Sequence, residues 1–128
     1  MRPALRRLVV AAAALAVLAR LLRWRAPLTR YAVEGHSMEP AYRAGDHVLV
    51  NRLAYRRGTP GPGDVVVLRD PERAGHYLLK RVASLPSHEP SVPGAVYVRG
   101  DNDADSRDSR RFGPVPRSAI VGRAWLRY

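Results

Sequence analysis

Cysteine is absent from the 128 residues. That excludes a disulfide framework, a thiol nucleophile and a cysteine zinc site. Lysine is nearly absent: of the 22 basic residues only Lys80 is a lysine, and the other 21 are arginines. Arginine keeps its proton in any protein setting, whereas a buried lysine can lose it. Lys80 is therefore a candidate for a neutral amine acting as a base. Its neighbours, Tyr77-Leu78-Leu79 and Val82, place it on an apolar, partly buried strand. Aromatic residues are few, with one Phe, two Trp and six Tyr, and no stacking platform for nucleic acid is visible. Acidic residues are missing altogether from residues 1–30.

Those first 30 residues hold seven arginines, so much of the net charge of +11 sits at one end of the chain. They also hold an uninterrupted apolar run, Leu8 to Ala19, extended past Arg20 by Leu21-Leu22. Basic charge beside an apolar segment suits anionic lipid head groups better than a nucleic-acid face. The pattern predicts one N-terminal transmembrane helix. Arg6, Arg7, Arg20 and Arg23 would snorkel to the interfaces, with Trp24 as an aromatic anchor. A cleaved signal peptide, with small residues near Ala14-Leu15-Ala16, and an interfacial helix are the alternatives. Arginines flank both ends, so charge does not decide orientation.

From Tyr31 onward short apolar runs alternate with Gly and Pro, which predicts a mainly β domain over residues 31–128. Expected strands are Val48–Leu53, Val65–Arg69, Tyr77–Ala83, Val96–Arg99 and Ile120–Leu126. Five short strands suggest a small coiled β-sheet or partly closed barrel. Residues 1–30 form the expected anchor and its basic flanks.

Gly35-His36-Ser37-Met38-Glu39-Pro40 is the chemically pointed stretch. Gly35 permits a positive φ or a close backbone approach. Pro40 fixes φ and biases Glu39 to extended backbone. Ser37 thus sits on a stiff segment that can aim a hydroxyl, which attacks only when a neighbouring base takes its proton. His36 adjoins Ser37, and on an extended segment adjacent side chains point apart, so Lys80 is the better base. There is no nucleophile elbow, because Glu39 stands where glycine is required. His47, His76 and His88 show no zinc spacing. The stretch from Gly100 to Gly113 opens Asp-x-Asp-x-Asp like a calcium loop. Ser106 and Phe112 occupy the positions that need glycine and a bidentate glutamate. No metal or other cofactor is expected. Asp108 and Arg110 are candidates for an ion pair, with Ser106 turned inward.

Taken together, the stretches resemble the type I signal peptidases, membrane-anchored serine proteases with a Ser–Lys dyad. Gly35-x-Ser37-Met38-x-Pro40 is similar to the nucleophile box. Gly45-Asp46-His47-Val48-Leu49-Val50 is similar to the next. Gly63-Asp64-Val65-Val66-Val67, then Lys80-Arg81-Val82 with Leu85-Pro86, resemble the box with the base. Gly100-Asp101-Asn102 through Ser106-x-Asp108-Ser109-Arg110 to Gly113-x-Val115-Pro116 resembles the last. The resemblance implies Ser37 as nucleophile, Lys80 as general base and Ser106 as a hydrogen-bond partner of the lysine amine. It implies Asp108–Arg110 as a supporting salt bridge and the Ser37 N–H as an oxyanion donor. Gly35 stands where some members carry a second oxyanion-hole serine, and Met38 is a candidate wall of a small-residue pocket. The implied partners are a precursor protein with an N-terminal signal or leader peptide and the lipid bilayer, not nucleic acid. The implied location of the catalytic domain is extracytoplasmic. Two other functions compete: a maturation protease dedicated to a nickel-type superoxide dismutase, and a non-catalytic basic β-barrel that binds lipid or nucleic acid.

Overall fold

The computed structural model describes residues 2–25 and 28–128. A helix, α1 (Pro3–Arg25), is followed by strands β1 (Leu28–Ala32), β2 (His47–Asn51), β3 (Val65–Arg69), β4 (Tyr77–Ala83) and β5 (Ala95–Arg99). A 3₁₀ turn (Asp103–Asp105), a one-turn helix α2 (Ser109–Phe112), a two-residue strand β6 (Val115–Pro116), a second 3₁₀ turn (Arg117–Ala119) and strand β7 (Ile120–Arg127) complete the chain. The strands form one antiparallel sheet in the order β1-β2-β7-β3-β4-β5-β6.

β3 is the middle strand of the seven, and its composition follows from that place. Val65-Val66-Val67-Leu68 shows no alternation because both faces are covered. Val66 and Leu68 pack with Val82, Val96, Val98 and Val115 on one side. Val67 packs with Val33, Val48 and Val50 on the other. β2, nearer the edge, keeps the alternating pattern, with Val48 and Val50 inward.

β7 curls the sheet. Its pairing slips by one residue against β2 between Leu49 and Val50, and again against β3 between Val67 and Leu68. Extra residues on one strand bend and twist a sheet. The result is a half-barrel: Tyr31 on β1 meets Tyr77 on β4 edge to face, with ring centroids 5.5 Å apart, although three strands separate β1 from β4 in the sheet.

The expected mainly β architecture is present, and so are the five expected strands. Two further strands, β1 and β6, were not expected. β1 begins at Leu28, so the sheet reaches back across the expected boundary at residue 30. Its sequence, Leu-Thr-Arg-Tyr-Ala, carries a charge and follows directly on a helix, which hides it. The membrane span calls for a correction. α1 is about 35 Å long at the helical rise, yet among the described residues no helix is long and apolar enough to cross a membrane. The reason is charge: the run between Arg7 and Arg20 covers only about 18 Å of a hydrocarbon core of about 30 Å. α1 exposes Leu8, Val9, Val10, Leu15, Val17 and Leu18 all round. The side chains of Arg23 and Trp24 lie outside what the structure describes.

Candidate active site

Ser37 lies in a tight turn and not on the extended segment that the proline implies. Gly35 takes a φ of +73°, with open space where a Cβ would stand, so its backbone conformation is what calls for glycine there. The turn is closed by Glu39 N–H to the His36 carbonyl (3.2 Å) and Tyr42 N–H to the Met38 carbonyl (2.9 Å). Met38 is buried and anchors the turn in the core. The imidazole of His36 bonds to Glu39, Nδ1 to Oε1 at 2.7 Å, and the ring is exposed. The hydrogen bond raises the His36 pKa above its ordinary value, helped by the glutamate charge. The imidazole is thus engaged with Glu39 and makes no hydrogen bond to Ser37 among the described residues.

Lys80 comes from the middle of β4. Its cross-strand partner is Val66, which is fully buried on the central strand. Nζ donates to Ser37 Oγ at 2.7 Å, joining residues 43 positions apart. The lysine is 3% exposed. Burial is the main cause lowering its pKa, since an ammonium loses its hydration there. Asp108, Asp70 and Asp105 oppose the shift, and Arg107 reinforces it.

Ser106, Asp108 and Arg110 form one network. Asp108 is 1% exposed and caps α2, accepting from the Arg110 backbone N–H. Its Oδ1 also accepts from Arg110 Nε (2.9 Å), and its Oδ2 from Ser106 Oγ (2.8 Å) and the Gly100 N–H (2.9 Å). Burial alone would raise the carboxyl pKa. The bonds from Arg110, Gly100 and Ser106 outweigh burial and hold it at about 2. The resemblance had placed the Ser106 hydroxyl on the lysine amine. In the structure that hydroxyl donates to Asp108, because the buried carboxylate is the stronger acceptor.

Gly100 explains how the pieces fit. A Cβ at this position would stand 2.1 Å from Ser106 Oγ and 2.6 Å from the Ser37 carbonyl oxygen. Asn102 completes the junction: its N–H donates to the Ser37 carbonyl (2.8 Å) and its Nδ2 to the His36 carbonyl (3.1 Å). Sequence reasoning assigned no role to Asn102. Its signal was present in the Gly-Asp-Asn triplet, but not the partner. Two more contacts went unread. Arg81 forks onto Asp101 (2.8 and 2.9 Å), and Arg107 forks onto the buried Asp70. Both partners are distant in sequence, so no local pattern announces them.

A cavity of about 270 Å³ opens beside Ser37 and Lys80, between backbone segments 31–34 and 75–79. Val33, Met38, Val48, Val67 and Leu79 contribute apolar wall. The structure thus brings together a hydroxyl, a buried amine and a small apolar recess.

The sequence matches the family model described as signal peptidase, peptidase S26, over residues 5–89 and 87–128. It is 39% identical over 112 residues to mitochondrial ATP-independent inner membrane protease subunit 1a of Arabidopsis thaliana, covering 74% of this chain and 67% of that protein. It is 35% identical over 107 residues to mitochondrial inner membrane protease subunit 1 of Xenopus tropicalis, covering 73% and 64%. It is 31% identical over 150 residues to probable signal peptidase I-1 of Synechocystis, covering 88% and 76%. The chain spans about two thirds of the length of the mitochondrial relatives it matches. A match along nearly the whole chain, in a fold that delivers a serine to a buried lysine, leads to one conclusion: this chain belongs to the signal peptidase family, peptidase S26.

Proposed function

We propose that the chain is a serine endopeptidase that removes N-terminal signal or leader peptides, with Ser37 as nucleophile and Lys80 as general base. The observation that carries this reading is the 2.7 Å approach of a buried lysine amine to a serine hydroxyl. The neutral amine accepts the Ser37 proton while Oγ attacks the scissile carbonyl carbon. The oxyanion faces the Ser37 N–H, and the resulting ammonium returns its proton to the leaving amine as the C–N bond breaks. Lys80, neutral again, deprotonates the water that hydrolyses the acyl-enzyme. The Asp108–Arg110 pair holds Ser106 and the Gly100 backbone beside the dyad. The recess walled by Val33, Met38 and Val48 suits small apolar side chains before the cut.

In this reading α1 holds the catalytic domain at a bilayer. A helix apolar on every side has no reason to stay in water. Its apolar run would lie in hydrocarbon with the arginines at either end reaching the head groups. Family membership, and not the charge of α1, is the ground for placing the domain on the extracytoplasmic side. The test is cleavage of a reporter precursor with alanine before the cut by wild type, Ser37→Ala and Lys80→Arg. Wild type should release the leader. Both variants should fold and lose activity by about a thousandfold or more, since arginine cannot act as the base. Turnover at the wild-type rate by either variant would refute the dyad.

A further inference from the structure

The Arg107–Asp70 pair joins two parts of the chain that the catalytic reading leaves unconnected. Asp70 directly follows β3 and opens the turn into β4, the strand that carries Lys80. Its N–H donates to the His76 carbonyl across that turn (2.9 Å). Its carboxylate side chain is 1% exposed. Both carboxylate oxygens accept from the Arg107 guanidinium, and Oδ1 also accepts the Glu72 N–H at 2.9 Å. Glu72 then accepts from Arg107 Nη1 (3.0 Å) and pairs with Arg111 (3.2 Å). Arg107 lies between Ser106 and Asp108, the two residues that contact Gly100, which itself abuts the Ser37 carbonyl.

We propose that the Arg107–Asp70 fork is a positioning clasp for the base, pinning the Ser106–Asp108 loop onto the β3–β4 hairpin and setting the balance of charge around Lys80. A bidentate guanidinium–carboxylate pair fixes both distance and orientation, which a lysine in its place would not. The charges bearing on the amine are few. Asp105, Arg107 and Asp108 come from the loop and Asp70 from the hairpin, while β3 presents the apolar Val66 and the turn presents the Ser37 hydroxyl. Arg107 is the only cation in that set, and it opposes an ammonium on Lys80. Asp70 favours one, and the fork holds it against Arg107. Arg107 thus acts on the reaction through Lys80 and touches no reacting atom.

The inference rests on the Ser37–Lys80 reading, and the pH profile of kcat/KM separates the two. Arg107→Gln removes the cation and leaves Asp70 buried alone, so the acidic limb should move to higher pH. Activity at a fixed pH on that limb falls about tenfold per unit of displacement. Asp70→Asn should move the limb the other way. The double variant should return it toward the wild-type position, because both opposing charges are then gone. Should Arg107→Gln fail to fold, Asp70→Asn and the double variant still carry the test. A folded Arg107→Gln with an unmoved limb, or Asp70→Asn with a limb unmoved or moved to higher pH, overturns the clasp. Ser37→Ala and Lys80→Arg in the same assay serve the other question: inactivity of both upholds the dyad whatever the limbs do, and wild-type activity of either defeats it.

Discussion

Replacing Gly100 with alanine adds one methyl group, and the structure states where it would go. The new Cβ would stand 2.1 Å from Ser106 Oγ, 2.6 Å from Ser106 Cβ and 2.6 Å from the Ser37 carbonyl oxygen. Ordinary contact begins near 3.4 Å. Two of the three atoms belong to rigid parts of the site, so the nucleophile turn or the Ser106 loop must retreat by about 1 Å. A displacement of about 1 Å at reacting groups costs on the order of a hundredfold in rate. Overpacking of this kind costs about 1–3 kcal/mol in stability. Gly100 does not have a left-handed φ, so alanine strains nothing by its backbone, and the whole effect is steric. Gly122→Ala is the matched control. Its Cβ would stand 2.4 Å from the Asn51 carbonyl oxygen, in the sheet, with Asn51 and Arg52 and neither dyad residue as its nearest contacts. Both variants should lower the melting temperature, and only Gly100→Ala should lower kcat/KM of the folded enzyme about a hundredfold. Gly100→Ala with activity within about threefold of wild type would refute the claim that contact at this glycine sets the Ser37 position.

Asp108 offers a stability test with a definite sign. Its folded pKa of about 2 lies below an unfolded value near 3.9. A depressed carboxylate stabilises the fold above the unfolded value, and that contribution is lost as pH falls through the folded one. Asp108→Asn should therefore cost about 2 kcal/mol near neutral pH in urea titrations, with the gap closing from about pH 4 down to about pH 2. A gap that stays constant over that window contradicts the assignment. For α1, Leu15→Arg places a charge in the middle of the apolar run. A charge there breaks the apolar run that would hold the helix to lipid, so carbonate extraction should release the variant and retain the wild type. Equal retention of both would count against α1 as the membrane attachment.

Local patterns carried much of this protein. The Val-rich central strand, the turn glycines and the helix-then-strand organisation follow from periodicity and turn chemistry, which act over a few residues. A single lysine among 21 arginines, on an apolar run, marked Lys80 as the candidate base before any coordinates. β1 was missed because its Arg30 and its place after α1 disguise a strand that only pairing with β2 stabilises. That the Ser106 hydroxyl donates to Asp108 could not be read from the sequence, because the bond depends on how deeply Asp108 is buried. Burial is a property of the packed loop.

The chain by itself determined which side chains could do chemistry: one hydroxyl on a constrained turn, one amine able to lose its proton, one acid–arginine pair. Tertiary structure alone decided that the amine reaches the hydroxyl, that Gly100 and Asn102 lock the two segments together, and that Arg107 closes on Asp70. Those contacts span from 37 to 66 residues of chain. They exist because two slips along β7 curl the sheet, and curvature of that kind is set by pairing between strands and by no strand alone.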